Sequence, residues 1–124
     1  MDKKILISGS VLAGLAVAIG AFGAHALQDI LVATQRMETF ETATKYHLFH
    51  ALALLVVGIL ESQNAHKSLR FVSILFLSGT LVFSGSLYIL SITNILWLGA
   101  ITPIGGVLFI LGWVLLVAYL WRSY

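Results

Sequence analysis

The sequence predicts an all-α integral membrane protein, a bundle of four transmembrane helices that forms a single domain over residues 1–124. Two compositional observations support this prediction. Sixty per cent of the residues are hydrophobic and only 10% are charged, whereas soluble domains average about 25% charged residues. The third observation is that the charged residues lie in short clusters between long apolar runs. Lipid, not water, is therefore the expected solvent for most of the surface.

Four apolar runs are long enough to cross a bilayer, because a hydrocarbon core of about 30 Å requires about 20 helical residues. The second run is purely apolar only over residues 51–60 and carries polar residues in its first half. Thr102 suits an N-cap and Pro103 suits the first helical position, so a sharp helix start is predicted there. The predicted helices span about residues 5–27, 40–60, 69–93 and 102–121.

The first run also imitates a secretory signal peptide. Lys3 and Lys4 precede it, and the Ala24-His25-Ala26 sequence at its end resembles a cleavage site. However, the apolar stretch is longer than the 7–15 residues typical of a signal-peptide core. A retained transmembrane helix is therefore predicted.

Basic residues are distributed unevenly between the two ends of the predicted helices. Five lie on the side shared by the termini and the second connection, and two lie towards the opposite side. Lysine and arginine are enriched in the cytoplasmic connections of membrane proteins. Both termini are therefore predicted to lie in the cytoplasm, with the protein in a bacterial cytoplasmic membrane. The residues compared are Lys3, Lys4, Lys67, Arg70 and Arg122 against Arg36 and Lys45.

Residue content excludes several classes of function. The absence of cysteine rules out disulfides, thiolate metal sites and cysteine nucleophiles. The sequence has no recognisable nucleophile–base–acid set, phosphate-binding loop or nucleic-acid patch, and topology accounts for its net charge of +2. The expected protein is non-enzymatic and has no assigned cofactor. Its expected partners are membrane lipids and a second copy of itself, not nucleic acid.

Small residues follow one face of the first predicted helix at helical spacing, at Ser10, Gly14, Ala18 and Ala21. Lipid gives apolar helices no hydrophobic reason to associate, so close backbone packing and interhelical hydrogen bonds hold them together. We therefore expect this stripe to face the neighbouring helices. One more turn along the same face reaches His25, which is expected to face the bundle interior as well.

Polar side chains from all four predicted helices reach a similar depth, in the outer half of the bilayer. Ionisable residues at membrane depth are costly, and they mark a functional hypothesis. The sequence thus indicates a ligand-binding cluster in which His25 and His50 lie close together, with Tyr88 nearby. The primary members are His25, Tyr46, His50, Ser84 and Tyr88, and the secondary members are Lys45, His47, Ser91 and Thr102.

The same residues permit two other interpretations. A lone histidine can be a neutral hydrogen-bonding group that joins two helices, and a lone serine usually bonds back to its own helix. Alternatively, His25, His47 and His50 could hold a divalent metal ion with Glu41, or a histidine pair could ligate haem. Glu41 also lies four residues before Lys45, which is the spacing of a helical ion pair.

Four segments carry a family resemblance: GAFGAHAL at residues 20–27, YHLFHALAL at 46–54, FSGSLY at 83–88 and LGAITPIGG at 98–106. They resemble the YgdD/YwdK-type membrane family, labelled domain of unknown function 423 and similar to transmembrane protein 256-like proteins. The resemblance covers nearly the whole chain and implies a small four-helix membrane protein without an established activity. Relatives typically carry glutamine where this chain has His47. The family motifs map onto His25, Tyr46, His50, Ser84, Tyr88, Thr102 and Pro103.

The leading functional hypothesis is a membrane protein that binds or passes a small polar solute, ion or lipid headgroup through this cluster. The alternatives are a structural or assembly partner of other membrane proteins and a metal- or haem-binding protein. Four short helices enclose little volume, so a pathway through a single copy is hard to build. A homo-oligomer would relieve that limit.

Overall fold

A computed structural model describes residues 3–124, and within this range every regular element is helical. The first transmembrane helix is built from three consecutive pieces, and a short helix separates it from the second. The elements are α1 (Lys3–Val17), a π-helical segment (Ala18–Gly23), α2 (Ala24–Ala26), α3 (Gln28–Thr34), α4 (Met37–Gln63), α5 (Lys67–Thr93) and α6 (Leu98–Ser123).

Four helical stretches in the described range are long and apolar enough to cross a membrane: Lys3–Ala26, Met37–Gln63, Lys67–Thr93 and Leu98–Ser123. The predicted fold class, an all-α protein with four membrane-spanning helices, is confirmed. Stretches of 24–27 residues are about 36–40 Å long at 1.5 Å per residue. They therefore exceed the hydrocarbon thickness and reach into the headgroup layers at both ends.

The helices pack mainly in chain order. The first stretch packs on α4, α4 packs on α5, and α5 packs on α6, while α1 barely touches α5. We call the end that holds Lys3, Ser123 and the 64–66 connection the termini end, and the other the opposite end. The centre of the bundle contains fully buried apolar side chains, including Leu54, Val57, Leu69, Val72 and Phe76.

The α5–α6 interface brings glycines of one helix against phenylalanine rings of the other. A Cβ atom built on Gly79 would lie 2.6 Å from Phe109, and one built on Gly112 would lie 2.6 Å from Phe76. A Cβ on Gly105 would overlap the backbone of Phe83. The two helices therefore approach closely enough that only glycine fits at these positions, as expected for association in lipid.

The predicted stripe of small residues on the first helix does not face its neighbours. Ser10, Gly14, Ala18 and Ala21 are all exposed, and a Cβ on Gly14 would meet nothing within 4 Å. The buried face of α1 is the opposite one, formed by Ile5, Gly9, Leu12 and Ala16. The expectation was wrong because α1 packs almost entirely on one helix, α4, so only one of its faces is covered within the chain.

The last helix begins four residues earlier than predicted, at Leu98 instead of Thr102. Thr102 is therefore not an N-cap, and Pro103 lies inside the helix. The additional turn is held by the buried Leu98 side chain and by backbone bonds that close i→i−3 rings, such as Ala100 N–H to the Trp97 carbonyl at 3.0 Å. Such 3₁₀-type bonds are common at helix ends.

The first connection is largely helical. Helix α3 places Leu31 fully inside the structure, and the chain turns at Gln35 through a left-handed conformation with φ of 59°. Thr34 Oγ1 donates to the Ser91 carbonyl at 2.8 Å, and Arg36 Nε donates to Asn94 Oδ1 at 3.0 Å. This connection is thereby fastened to the end of α5.

Candidate functional site

His50 lies at the centre of α4, with thirteen residues of the helix on either side of it (37–49 and 51–63). Trp113 Nε1 donates a hydrogen bond to His50 Nε2 at 3.0 Å. Because an indole nitrogen can only donate, Nε2 carries no proton. The proton is therefore on Nδ1, which donates to the Tyr46 carbonyl at 2.8 Å. His50 is thus a neutral imidazole of fixed tautomer, and it joins α4 to α6.

Aromatic rings enclose the His50 imidazole. Phe109 stacks on it with a centroid separation of 3.6 Å, and Phe76 meets it edge-on at 5.4 Å. The ring of Tyr46 lies nearly parallel at 6.3 Å. With both nitrogens bonded and its faces covered, His50 has no free ring atom for a ligand. The structure therefore favours the interpretation of His50 as a group that joins helices.

His47 lies one turn from His50 and has a different environment. Its Nδ1 forms a hydrogen bond of 2.8 Å with the Tyr88 hydroxyl of α5. The side chain is 4% exposed, and Nε2 is buried without a hydrogen-bond partner among the described residues. The backbone of Leu12 lies beside the ring. Leaving a buried polar group unpaired costs about 1–3 kcal/mol, so His47 Nε2 stands out as an available binding group.

Several hydroxyl groups of α5 bond across helix interfaces. Ser84 Oγ donates to the Ala43 carbonyl of α4 at 2.8 Å, and Ser86 Oγ lies 2.7 Å from Thr102 Oγ1 of α6. Ser91 Oγ instead bonds back to the Tyr88 carbonyl of its own helix. Ser84 and Thr102 therefore act as bridges between helices, and Ser91 follows the local pattern typical of an isolated serine.

The structure does not bring His25 to His50. The His25 side chain is exposed, and His50 bonds to Trp113 and Tyr46 instead. The expected pairing was wrong because His25 continues the exposed stripe of α1, so it points away from α4. Tyr88, expected near this pair, bonds to His47 and not to His50.

Three further predicted residues lie at the surface. Glu41 and Lys45 are exposed and form no ion pair within residues 3–124, although their spacing allows one. An ion pair between exposed side chains adds little stability. The four-residue spacing of Glu41 and Lys45 was therefore not enough to predict that the pair forms. Tyr46 is 39% exposed and covers one side of the His50 environment.

The positions of these side chains contradict the hypothesis of a metal site. No group of three or more histidine, aspartate or glutamate side chains is placed to hold a metal ion in the described part of the chain. His25 and Glu41 are exposed, and both nitrogens of His50 are occupied. The proposed ligands therefore do not converge.

Trp113 and Leu12 contribute to the site but were missed from the sequence. Trp113 lies in an uninterrupted apolar run, fifteen residues after Leu98, where nothing in the local pattern distinguishes it. One signal was present: an indole N–H in the middle of a membrane helix needs an acceptor. Histidine is the acceptor at the corresponding depth of α4. Leu12 carries no comparable signal, because it contributes only its backbone.

The fold and the site together define a multi-pass α-helical membrane protein in which several polar side chains are buried between the helices. The chain belongs to the family described as protein of unknown function DUF423, whose model matches residues 19–106. The family expected from the four sequence segments is thus confirmed. No solved structure matches the chain.

Its relatives are named as membrane proteins. The chain is 48% identical over 115 residues to UPF0382 membrane protein SSP2132 of Staphylococcus saprophyticus, covering 93% of this chain and 94% of that one. It is 44% identical over 116 residues to UPF0382 membrane protein YwdK of Bacillus subtilis, with coverage of 93% and 94%. The similarity to UPF0382 membrane protein SAB0533 of Staphylococcus aureus is 45% over 115 residues, covering 93% of each chain.

Proposed function

We propose that this membrane protein is non-enzymatic and binds a small polar solute, ion or lipid headgroup at the site formed by His47 and Tyr88. The observation that carries this proposal is the buried Nε2 atom of His47, which has no partner in the described structure. Ionisable groups inside membrane proteins are costly and mark a functional hypothesis. A ligand that bonds to Nε2 would remove that cost.

The His47–Tyr88 pair can serve ligands of either polarity. If the Tyr88 hydroxyl donates to Nδ1, then Nε2 carries the proton and offers a donor; if Nδ1 donates to the hydroxyl, Nε2 offers an acceptor. Both arrangements keep the 2.8 Å bond. The pair can therefore bond to a donor or to an acceptor without moving, which favours a small dipolar ligand.

We propose that a ligand reaches the site along the first helix. Residues Ala18–Gly23 form a π-helical segment, a rare geometry that is frequent at functional sites. This segment meets α4 at the residues around the His47–Tyr88 pair: a Cβ on Gly20 would touch Thr44 at 2.7 Å, and one on Gly23 would lie 3.5 Å from Phe40. Phe40 in turn contacts the Tyr88 ring at 5.6 Å. A small shift of this segment would admit a ligand.

Solid-state NMR of protein with ¹⁵N-labelled histidine, reconstituted in lipid bilayers, tests the proposal. The probes are water, followed by deuterium exchange, and formamide, which both donates and accepts hydrogen bonds. We expect the His47 ring signals to exchange and to shift with formamide, while those of His50 stay unchanged, because both His50 nitrogens are already bonded. His50 thus provides an internal control in the same protein.

A matched pair of variants sharpens this test. Tyr88→Phe removes the hydroxyl that orients His47 and should weaken the formamide response several-fold. Tyr46→Phe removes a hydroxyl from the partly exposed neighbouring tyrosine and should leave the response unchanged. The proposal fails if His47 is as inert as His50 towards both probes.

We also propose a bacterial cytoplasmic membrane as the location, with both termini in the cytoplasm. The support is the excess of basic residues at the termini end, where Lys3, Lys4, Lys67, Arg70 and Arg122 lie. A reporter fused after Tyr124 should then report the cytoplasm, and one inserted near Ile95 should report the exterior. A C-terminus outside the cell would refute this orientation.

A second candidate function is assembly, in which the exposed small-residue stripe of the first helix packs on another copy of the chain. The observation that favours it is the open space at Gly14, on the face opposite to the one buried against α4. The natural chain has no cysteine, so single cysteines can be cross-linked without background. Gly14→Cys should form dimers in membranes, whereas Leu15→Cys, also exposed but on another face, should not. Equal cross-linking of both would exclude the stripe as an interface.

A further inference from the structure

A cavity of about 400 Å³ opens at the termini end of the bundle, and none of its lining residues belongs to the His47–Tyr88 site. It exists because α1 and α5 both pack on α4 but barely touch each other. Two polar positions on each of these helices line it: Lys4 and Ser8 on α1, and Arg70 and Ser73 on α5. Residues three or four apart lie on the same helix face, so each pair points into the same groove.

We propose that this cavity binds one anionic phospholipid, with its phosphate between Lys4 and Arg70 and an acyl chain in the groove. The first support is charge. Lys4 and Arg70 each carry a positive charge, and Glu61, the acidic partner of Arg70, carries a negative one. The net charge of these three residues is therefore +1. Basic pockets between transmembrane helices bind anionic lipid headgroups in this way.

Arg70 is held in position for this role. Its Nε donates to Glu61 Oε1 at 3.0 Å, and the Glu61 side chain is completely buried, whereas that of Arg70 is 56% exposed. This bond uses one of the five N–H donors of the guanidinium group. The terminal amino groups supply the further donors that a phosphate requires, in the planar geometry that suits it.

The apolar residues that line the rest of the cavity favour a lipid over free phosphate. Ile5, Leu54, Ile74 and Leu77 make the deeper part of the cavity mostly apolar. Leu77 lies seven residues beyond Arg70, which is about 10 Å along the helix at 1.5 Å per residue. A basic rim above an apolar groove matches a headgroup followed by a hydrocarbon chain. A free phosphate would use only the rim.

The test is lipid binding to the purified full-length chain in detergent, followed by native mass spectrometry. Phosphatidylglycerol should bind more tightly than phosphatidylcholine, in a one-to-one complex. Lys4→Gln should weaken phosphatidylglycerol binding about five-fold, the effect expected of one basic residue near a membrane surface. Lys3→Gln removes the same charge from the adjacent residue, which does not line the cavity, and should weaken binding less than two-fold.

A second pair of variants tests the groove without touching the charges. Ile74→Trp should fill the apolar part and abolish the one-to-one complex. Phe71→Trp, also exposed and on the same helix but outside this cavity, should leave it intact. Circular dichroism and size-exclusion chromatography establish that each variant is folded.

Three results would overturn the proposal. Equal losses in Lys3→Gln and Lys4→Gln would indicate general attraction to the termini end. Full displacement of phosphatidylglycerol by millimolar inorganic phosphate would indicate a site for soluble anions. Retention of the complex in Ile74→Trp would remove the groove from the site. The His47–Tyr88 proposal is unaffected by any of them, because the two sites share no residue.

Discussion

The interface between α5 and α6 and the outward face of the first helix use small residues in opposite ways. In the first, Gly79, Gly105 and Gly112 receive the rings or backbone of facing phenylalanines, and even one added methyl group would collide. In the second, Gly14 and its neighbours on the stripe face outward, and the space around Gly14 is empty. The same residue type therefore marks a close contact between helices on one surface and an uncovered face on the other.

The difference teaches that a small residue predicts close packing in lipid only where a neighbour supplies the matching large one. Helices α5 and α6 are joined by a short connection and offer phenylalanines to each other's glycines. The first helix contacts essentially one partner, so the rest of its circumference is left for lipid or another molecule.

The largest loss of stability is expected for a substitution at Gly105. Gly105→Ala places a methyl group against the Phe83 backbone, which cannot move without separating α5 from α6. We expect a loss of about 3 kcal/mol, at the upper end of overpacking effects, measured as the free energy of unfolding in a mixed-micelle denaturant titration. Gly106→Ala is the control, because its nearest neighbour, Phe83 Cδ2, would be 4.0 Å away. Equal losses for both variants would contradict the description of this interface.

A smaller loss of stability is expected for substitutions in the first helix. Its size depends on whether the residue lies on the buried or the exposed face. Ala16 is 2% exposed, whereas Ala18 is exposed. Ala16→Leu should therefore cost about 1–3 kcal/mol through overpacking against α4, while Ala18→Leu should change the stability of a single chain by less than about 0.5 kcal/mol. The same titration measures both variants. A larger loss for Ala18→Leu would show that the stripe is buried after all.

The smallest effect concerns the hydrogen bond that joins α4 to α6. Trp113→Phe keeps an aromatic ring but removes the donor to His50 Nε2, and we expect a loss of about 1 kcal/mol. The change should also shift the ¹⁵N signal of His50 Nε2, which loses its hydrogen bond, while Nδ1–H keeps its bond to the Tyr46 carbonyl. Trp121→Phe, at an 86% exposed residue, is the matched control and should affect neither quantity. Unchanged His50 shifts in Trp113→Phe would disprove the assigned bond.

The sequence identified many residues of the candidate site, but it did not reveal which of them bond to each other. Ser84, Tyr88 and Thr102 were expected among the polar members, and each does bond to another helix. The histidines were paired wrongly, because spacing along α4 cannot reveal the rotation that turns His50 towards α6 and His47 towards Tyr88. His25 was misplaced for a related reason: a stripe on one helix does not tell which side of it is covered.

The sequence by itself determined that the described chain has four helices long and apolar enough to cross a membrane, because helix length and hydropathy are local properties. It also determined the family, because the four motif segments are read directly from the residues. Tertiary structure alone decided which small-residue face is buried, the pairing of His47 with Tyr88 and of His50 with Trp113, and the cavity at the termini end. The physical reason is that lipid solvates every apolar face equally well. The choice among faces therefore rests on contacts between residues far apart in the chain.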